Sequence, residues 1–284
     1  MELKPITRLL GKIGLSNSTA RRNTALLRAK KIQHFTTKVN GVPFTVIGDR
    51  LRESEHKNLV ESMNNLSNKY PSIHQSLQHV LIENRNFGRN QAPRTGISLL
   101  DSLSEGKGAA GLYRFGDSTM SIFAGDRIHF KDPIKADRIV ASVYAHEFGH
   151  HIQNALRQKS IPISILNSAI ESHFPGIRRI TGELDPNETI RQLGSAYASH
   201  ESNYELFPEL LMAHHFPEMT ERFVLRDGRL SNSNVRKATN SVDELIRFSG
   251  HIANPDPETR ITNSARHGAR PRSRSAMGGL AYLQ

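Results

Sequence analysis

The stretch that decides the fold is residues 132–159, which read DPIKADRIVASVYAHEFGHHIQNALRQK. Asp132 and Pro133 have the chemistry of a helix N-cap followed by a first-turn proline. From there to about Lys159, apolar residues recur at the spacing of one helical face. These apolar positions are Val140, Val143, Phe148, Ile152 and Leu156. The pattern predicts one long helix with a buried stripe.

This predicted helix carries the five-residue motif H-E-F-G-H, with His146, Glu147 and His150 as its polar members. Residues four apart share one helical face, so both imidazoles can meet a single ion. Zn²⁺ suits two neutral imidazoles with a carboxylate and keeps one position open for water, beside which Glu147 can act as general base. The competing interpretation is a surface helix with incidental histidines, which leaves a polar face beside apolar residues without a partner.

A third ligand has to come from elsewhere in the chain. In metzincins the motif continues with Gly and His, but the corresponding residues here are Gln153 and Leu156, so that class is excluded. The best candidates are Glu205 and Glu209, one turn apart in a second predicted helix, where one carboxylate can ligate while the other supports a histidine. Ser202 with Glu205 also matches a capping box, which is a competing structural interpretation.

Other polar residues near the two motifs leave alternatives open. His151 adjoins His150 but points about 100° away around the helix, towards packing, a supporting role at the metal, or solvent. Pro208 is expected to end or kink the first turn of the second helix. Weaker ligand candidates are Glu183, Glu188 and His214.

The two motifs together resemble those of the anthrax lethal-factor-like zinc metallopeptidases, a branch of the gluzincins. The likeness rests on the H-E-F-G-H-H helix and on YASHESNYELFPE at 197–209, about fifty residues later, and covers roughly residues 110–225. The resemblance implies a zincin-like fold, a Zn²⁺ cofactor and hydrolysis of peptide bonds in a protein or peptide substrate.

The resemblance also implies roles for individual residues. Glu205 would be the third zinc ligand and Glu209 a carboxylate supporting the ligands. Tyr197 would donate a hydrogen bond to the oxyanion, with Tyr204 as the rival for that role. The strand around 119–124 would form the sheet edge along which an extended substrate lies.

We therefore predict an α+β fold over residues 32–252, a zincin-like metallopeptidase domain with a small twisted mixed sheet, the motif helix and a following helical subdomain. Its first hairpin turns at Asn40-Gly41, a pair that supplies the positive φ angles of a tight turn. Further predicted elements are a helix over 50–69, a strand at about 77–83, a second hairpin over 111–124, mixed structure over 160–200, and helices over 202–215, 217–225 and 240–249.

The positive charge of the chain is concentrated at its ends. The net charge is +11, with nine Lys/Arg and one acid in residues 1–40, five Arg and two acids in 251–284, and 24 basic and 24 acidic residues between them. This distribution predicts a basic flexible leader over 1–31 and a disordered basic tail over 253–284. Such tails favour an acidic partner, either nucleic acid or a delivery machinery.

The composition limits compartment and chemistry. The chain has no cysteine, which excludes disulfides and cysteine-based metal sites. We expect no transmembrane segment and no signal peptide, because no apolar run is long enough for either. The expected location is the cytoplasm of the producing cell, or outside it after export by a non-Sec route. Two functions fit: a zinc endopeptidase acting as a toxin or effector, or a virion- or nucleic-acid-associated protein with a structural zinc-binding zincin fold.

Overall fold

The structure, a computed structural model, describes part of the chain. The described residues are 18–84, 95–97, 110–124, 131–173, 204–222, 224–225, 228–229 and 232–250. The chain divides into two units, Met1–Ile252 and Ala253–Gln284, and every described residue lies in the first. Some sequence predictions therefore fall outside the described residues: those on Tyr197, Glu183, Glu188 and Ser202, the leader over 1–17, the mixed structure over 174–200 and the tail over 253–284.

Helices and strands are interspersed along the described chain. In order they are α1 (Ser18–Ala29), β1 (His34–Val39), β2 (Val42–Gly48), α2 (Glu53–Lys69), α3 (Pro71–Ser76), β3 (His79–Asn84), β4 (Gly111–Arg114), β5 (Thr119–Phe123), α4 (Pro133–Gln158), α5 (Ile163–Glu171), α6 (Leu206–His215), a 3₁₀ helix (Pro217–Arg222), β6 (Val224–Leu225), β7 (Gly228–Arg229) and α7 (Asn232–Phe248). The fold is α+β, as predicted. Among the described residues none of the helices is long and apolar enough to cross a membrane.

Five strands form a small mixed sheet in the order β1-β2-β3-β5-β4. The pairs β1–β2 and β4–β5 are antiparallel, whereas β2–β3 and β3–β5 are parallel. The first hairpin is confirmed, because Val39 pairs with Val42 across the turn. Its turn residues Asn40 and Gly41 have φ angles of 48° and 84°, the left-handed conformation that this pair of residues favours.

The second hairpin enters the sheet in a different way from the one expected. Strands β4 and β5 confirm the hairpin over 111–124. The prediction that 119–124 forms the sheet edge is wrong, because β5 pairs with β3 on its other side, with His79 opposite Thr119. Among the described strands, β4 is the edge strand at this end of the sheet, and it offers the free edge to which an extended peptide could add.

Alternate residues of the strands point to two opposite faces of the sheet. On one face, Val80 and Ile82 join the large core that includes the buried residues of α2 and α4. On the other, Leu81 packs with Leu27 of α1. The prediction of a flexible leader over 1–31 is therefore wrong for 18–29, where a helix covers the second face of the sheet.

The long helix α4 is confirmed from Pro133 to Gln158. The side chain of Asp132 caps it by accepting a hydrogen bond from the backbone N–H of Ile134 at 2.9 Å. Pro133 occupies the first turn, where a backbone N–H has no helical partner in any case. The cap and proline chemistry in the sequence thus sets the start of the helix that carries the motif.

The helices after α4 differ from the predictions in three places. Helix α6 begins at Leu206, and Pro208 neither ends nor kinks it. Pro208 is the third residue of the helix, and a backbone N–H at that position has no acceptor carbonyl within the helix, so its absence costs no helical hydrogen bond. Within the predicted helix over 217–225, Pro217–Arg222 form a 3₁₀ helix and Val224–Leu225 form the short strand β6. Helix α7 begins at Asn232, eight residues before the predicted 240.

Candidate metal centre

The two histidines of the motif and one glutamate of the second motif lie together. Atom Nε2 of His146 is 3.1 Å from Oε2 of Glu205, and Nε2 of His150 is 3.3 Å from the same oxygen. The imidazole rings meet edge to face with centroids 5.1 Å apart. One ligand atom from each residue lies within 4.8 Å of the others, an arrangement that can hold a metal ion.

Glu205 reaches this position from the N-terminal end of α6. It is the residue immediately before the helix, and its side chain makes no capping hydrogen bond. The carboxylate is directed at His146 and His150. The capping-box prediction also involves Ser202, which lies outside the described residues, so that prediction stays open.

Gly149, a spacer residue of the motif, lets α6 come close enough to α4. A side-chain Cβ at Gly149 would lie 2.6 Å from Cα of Pro208 and 3.1 Å from its Cβ. Carbon atoms normally stay about 3.5 Å or more apart, so only glycine fits against this proline. Gly149 and Pro208 thus set the approach of the helix end that carries Glu205.

The carboxylates make the cluster favourable for positive charge. Burial alone would lower the pKa of His146, but its hydrogen bond to Glu205 and the charges of Glu147 and Glu209 outweigh burial and raise that pKa to about 9. Burial alone would raise the pKa of Glu205, but the hydrogen bonds from His146 and His150 lower it to about 2. A site that stabilises a proton on imidazole in this way also favours a bound cation.

Glu147 lies beside the ligands, between α4 and the edge strand. Its side chain is buried, and this burial is the main cause of its raised pKa. A Cβ on Gly111 of β4 would lie 2.9 Å from Cδ of Glu147 and 2.7 Å from Cγ1 of Val143. The missing side chain of Gly111 therefore makes room for the Glu147 carboxylate, a contact that no local pattern in the chain predicts.

Two further side chains face the nitrogens of the histidines that point away from the cluster. Oε1 of Glu209 lies 3.5 Å from Nδ1 of His146. Oε1 of Gln153 lies 3.1 Å from Nδ1 of His150. An acceptor at Nδ1 holds the hydrogen there and leaves Nε2 as the ligand atom. The structure thus places the Glu209 carboxylate next to His146, and its supporting role stays a prediction. The position of Gln153 next to His150 was missed.

His151 is a packing residue, which decides among the three alternatives left open for it. It is 1% exposed. Its Nε2 donates to the backbone carbonyl of Ile73 at 2.8 Å, and its Nδ1 accepts from the hydroxyl of Tyr113 at 2.8 Å. The ring therefore joins α3 and β4 to α4 behind the ligands.

The remaining candidates divide between described and undescribed parts of the chain. His214 lies near the far end of α6, where Lys69 and Asp243 influence its pKa, and it is not part of the His-His-Glu group. Tyr204 contributes its backbone carbonyl, which accepts a hydrogen bond from Gln153 at 2.8 Å.

Comparison with protein-family models finds no family that matches this chain, and comparison with curated proteins finds no matching sequence. The geometry of the site and the two motifs are therefore the basis for a functional proposal.

Proposed function

We propose that this chain is a zinc-dependent endopeptidase with a zincin-like fold of the lethal-factor-like type. The observation that carries the proposal is the group of His146, His150 and Glu205, with the buried carboxylate of Glu147 beside it. Two imidazoles and one carboxylate are the donor set of catalytic zinc sites that keep a position for water.

The surroundings of the two imidazoles also fit Zn²⁺. Each ring has an acceptor oxygen at its Nδ1, from Glu209 for His146 and from Gln153 for His150. Zinc-binding histidines almost always donate this second N–H to such an acceptor. The absence of cysteine in the chain leaves imidazole and carboxylate as the ligands for a borderline metal such as zinc.

The chemistry divides between the metal and the residues of this chain. Bound Zn²⁺ would polarise the scissile carbonyl and lower the pKa of a coordinated water towards neutrality. Glu147 accepts the proton of the attacking water and transfers it to the leaving amine, and its burial raises its pKa towards the range useful for both steps.

The edge strand β4 supplies a place for the substrate. It lies at the end of the sheet and pairs only with β5 among the described strands. Gly111 of β4 lies against Glu147, so a peptide added along this edge passes next to the general base. The oxyanion donor stays a prediction, with Tyr197 as the first candidate and Tyr204 as its rival.

The test combines metal content with turnover. Metal content of the purified protein and of His146→Ala and Glu205→Ala is measured by plasma mass spectrometry, with circular dichroism to verify folding. We expect about one zinc per chain in the wild type and loss of zinc in both variants. No zinc uptake by folded wild type would refute the assignment of the site.

Turnover is measured on fluorescently labelled casein. Glu147→Gln removes the base and no ligand, so it should retain zinc and lose at least about a hundredfold in rate. The matched control is Glu244→Gln at an exposed position of α7. Wild-type proteolysis by Glu147→Gln would contradict the mechanism. Delivery as a toxin or effector, and binding of the basic tails to nucleic acid, stay predictions from sequence.

A further inference from the structure

Gln153 is a buried polar residue that connects the two halves of the metal centre. It lies on α4 three residues after His150, on the same side of the helix, and is 1% exposed. Its Oε1 lies 3.1 Å from Nδ1 of His150. Its Nε2 donates to the backbone carbonyl of Tyr204 at 2.8 Å. Both ends of one side chain are thus engaged.

The partners of Gln153 determine which way its amide points. A backbone carbonyl only accepts hydrogen bonds, so the group facing Tyr204 must be the NH₂. The amide oxygen therefore faces His150, and an oxygen there requires the hydrogen on Nδ1. In the neutral form that binds a metal, His150 therefore has its lone pair on Nε2, the atom that faces Glu205.

The second arm of Gln153 acts on the other helix. Tyr204 directly precedes Glu205, which in turn directly precedes α6. A hydrogen bond to the Tyr204 carbonyl fixes the backbone one residue from the third member of the His-His-Glu group. One side chain therefore fixes the orientation of the His150 ring on α4 and the backbone position next to Glu205, just before α6.

We propose that Gln153 is a positioning residue for the metal centre, holding His150 and Glu205 in register for one ion; this rests on the proposed zinc function. Residues that hold metal ligands in this way typically change metal affinity by about 10- to 100-fold when replaced. Gln153 contacts His150 and the backbone next to Glu205, so its effect on a bound ion would pass through these two residues.

The experiment compares three variants with the wild type. Gln153→Met keeps the length of the side chain and removes both polar ends. Gln153→Glu keeps an oxygen for the His150 N–H but places another oxygen against the Tyr204 carbonyl. Gln158→Met makes the same chemical change at an exposed position of the same helix. Zinc affinity is measured by competition with a chromophoric chelator, and the Co²⁺-substituted proteins are compared by visible absorption.

We expect zinc affinity to fall about 10- to 100-fold in Gln153→Met, to recover in part in Gln153→Glu, and to stay at the wild-type value in Gln158→Met. The Co²⁺ spectrum should change in Gln153→Met but not in Gln158→Met, because only the first substitution displaces the ligands. Wild-type affinity in Gln153→Met would overturn the proposal. Equal losses in Gln153→Glu and Gln153→Met would also overturn it, since the loss would then reflect packing and not the bond to His150.

These readouts separate the positioning role from the proposed enzymatic function. Zinc affinity and the Co²⁺ spectrum require no turnover. A wild type that binds zinc tightly but cleaves no peptide would refute the peptidase and leave the expected affinity losses at Gln153 as support for its role. A folded wild type that takes up no zinc would refute both.

Discussion

Replacing Gly149 by alanine tests how strictly the contact between α4 and α6 sets the candidate metal site. The added Cβ would lie 2.6 Å from Cα of Pro208, which is about 0.8 Å short of ordinary contact. The obstructing atom belongs to backbone, so it cannot rotate away as a side-chain end would. Either α6 retreats by most of this distance or α4 bends.

Two opposing contributions determine the stability of this variant. Alanine in a helix interior is favoured over glycine by about 1 kcal/mol. Forcing an extra carbon into a packed contact costs about 1 to 3 kcal/mol. We therefore expect a net loss of up to about 2 kcal/mol in the free energy of unfolding, measured by urea denaturation of the metal-free protein.

The effect on metal binding should exceed the effect on stability. Functional groups tolerate displacements of only about 0.5 Å, and a retreat of α6 carries Glu205 away from His146 and His150. Zinc affinity in Gly149→Ala should therefore fall at least about tenfold. Gly116→Ala is the matched control, because a Cβ there meets no atom within 4 Å. A Gly149→Ala protein that is more stable than wild type and binds zinc with unchanged affinity would refute the reasoning.

Two further predictions concern the proposed general base and the stability of the protein in acid. Gly111→Ala places a carbon against the Glu147 carboxylate, so kcat for casein should fall about a hundredfold while zinc affinity stays unchanged. The control Gly116→Ala should match the wild type, and an unaltered kcat in Gly111→Ala would contradict the position of the base. Burial lowers the pKa of both His74 and His79 to about 4 in the folded protein. As the pH falls below about 6.5, these two histidines therefore become protonated in the unfolded chain before they do in the folded protein. Up to about 3 kcal/mol of stability per histidine should be lost between about pH 6.5 and 4. Urea midpoints against pH should show this loss, with a shallower slope in His74→Leu; equal slopes in the two proteins would refute the contribution of His74.

The sequence predicted those elements whose signals are local. The start of α4 follows from Asp132 and Pro133, and the first hairpin follows from the Asn40-Gly41 pair. The placement of two histidines on one face of α4 follows from helical periodicity alone. These features depend on residues within a few positions of each other, so a single sequence is sufficient to find them.

Features that depend on tertiary contacts were missed or misplaced. Helix α1 is rich in arginine and buries few residues, among them Leu27, so its sequence resembles a solvated tail. The order of β4 and β5 depends on which of them pairs with β3, and both are short enough for either arrangement. Sequence alone therefore placed the sheet edge on the wrong strand of a correctly predicted hairpin.

Gln153 makes one contact that local sequence predicts and one that depends on tertiary packing. Its distance of three residues from His150 is a local signal, and helical geometry alone would have placed it beside that ring. Its second bond, to Tyr204, joins residues about fifty positions apart and follows only from the packing of α6 on α4. That packing depends in turn on Gly149 facing Pro208. The histidines of the motif can thus be found by spacing, and so can the contact of Gln153 with His150. The contacts from Gln153 to Tyr204 and from Gly149 to Pro208 cannot, because they depend on packing between two helices that are distant in sequence.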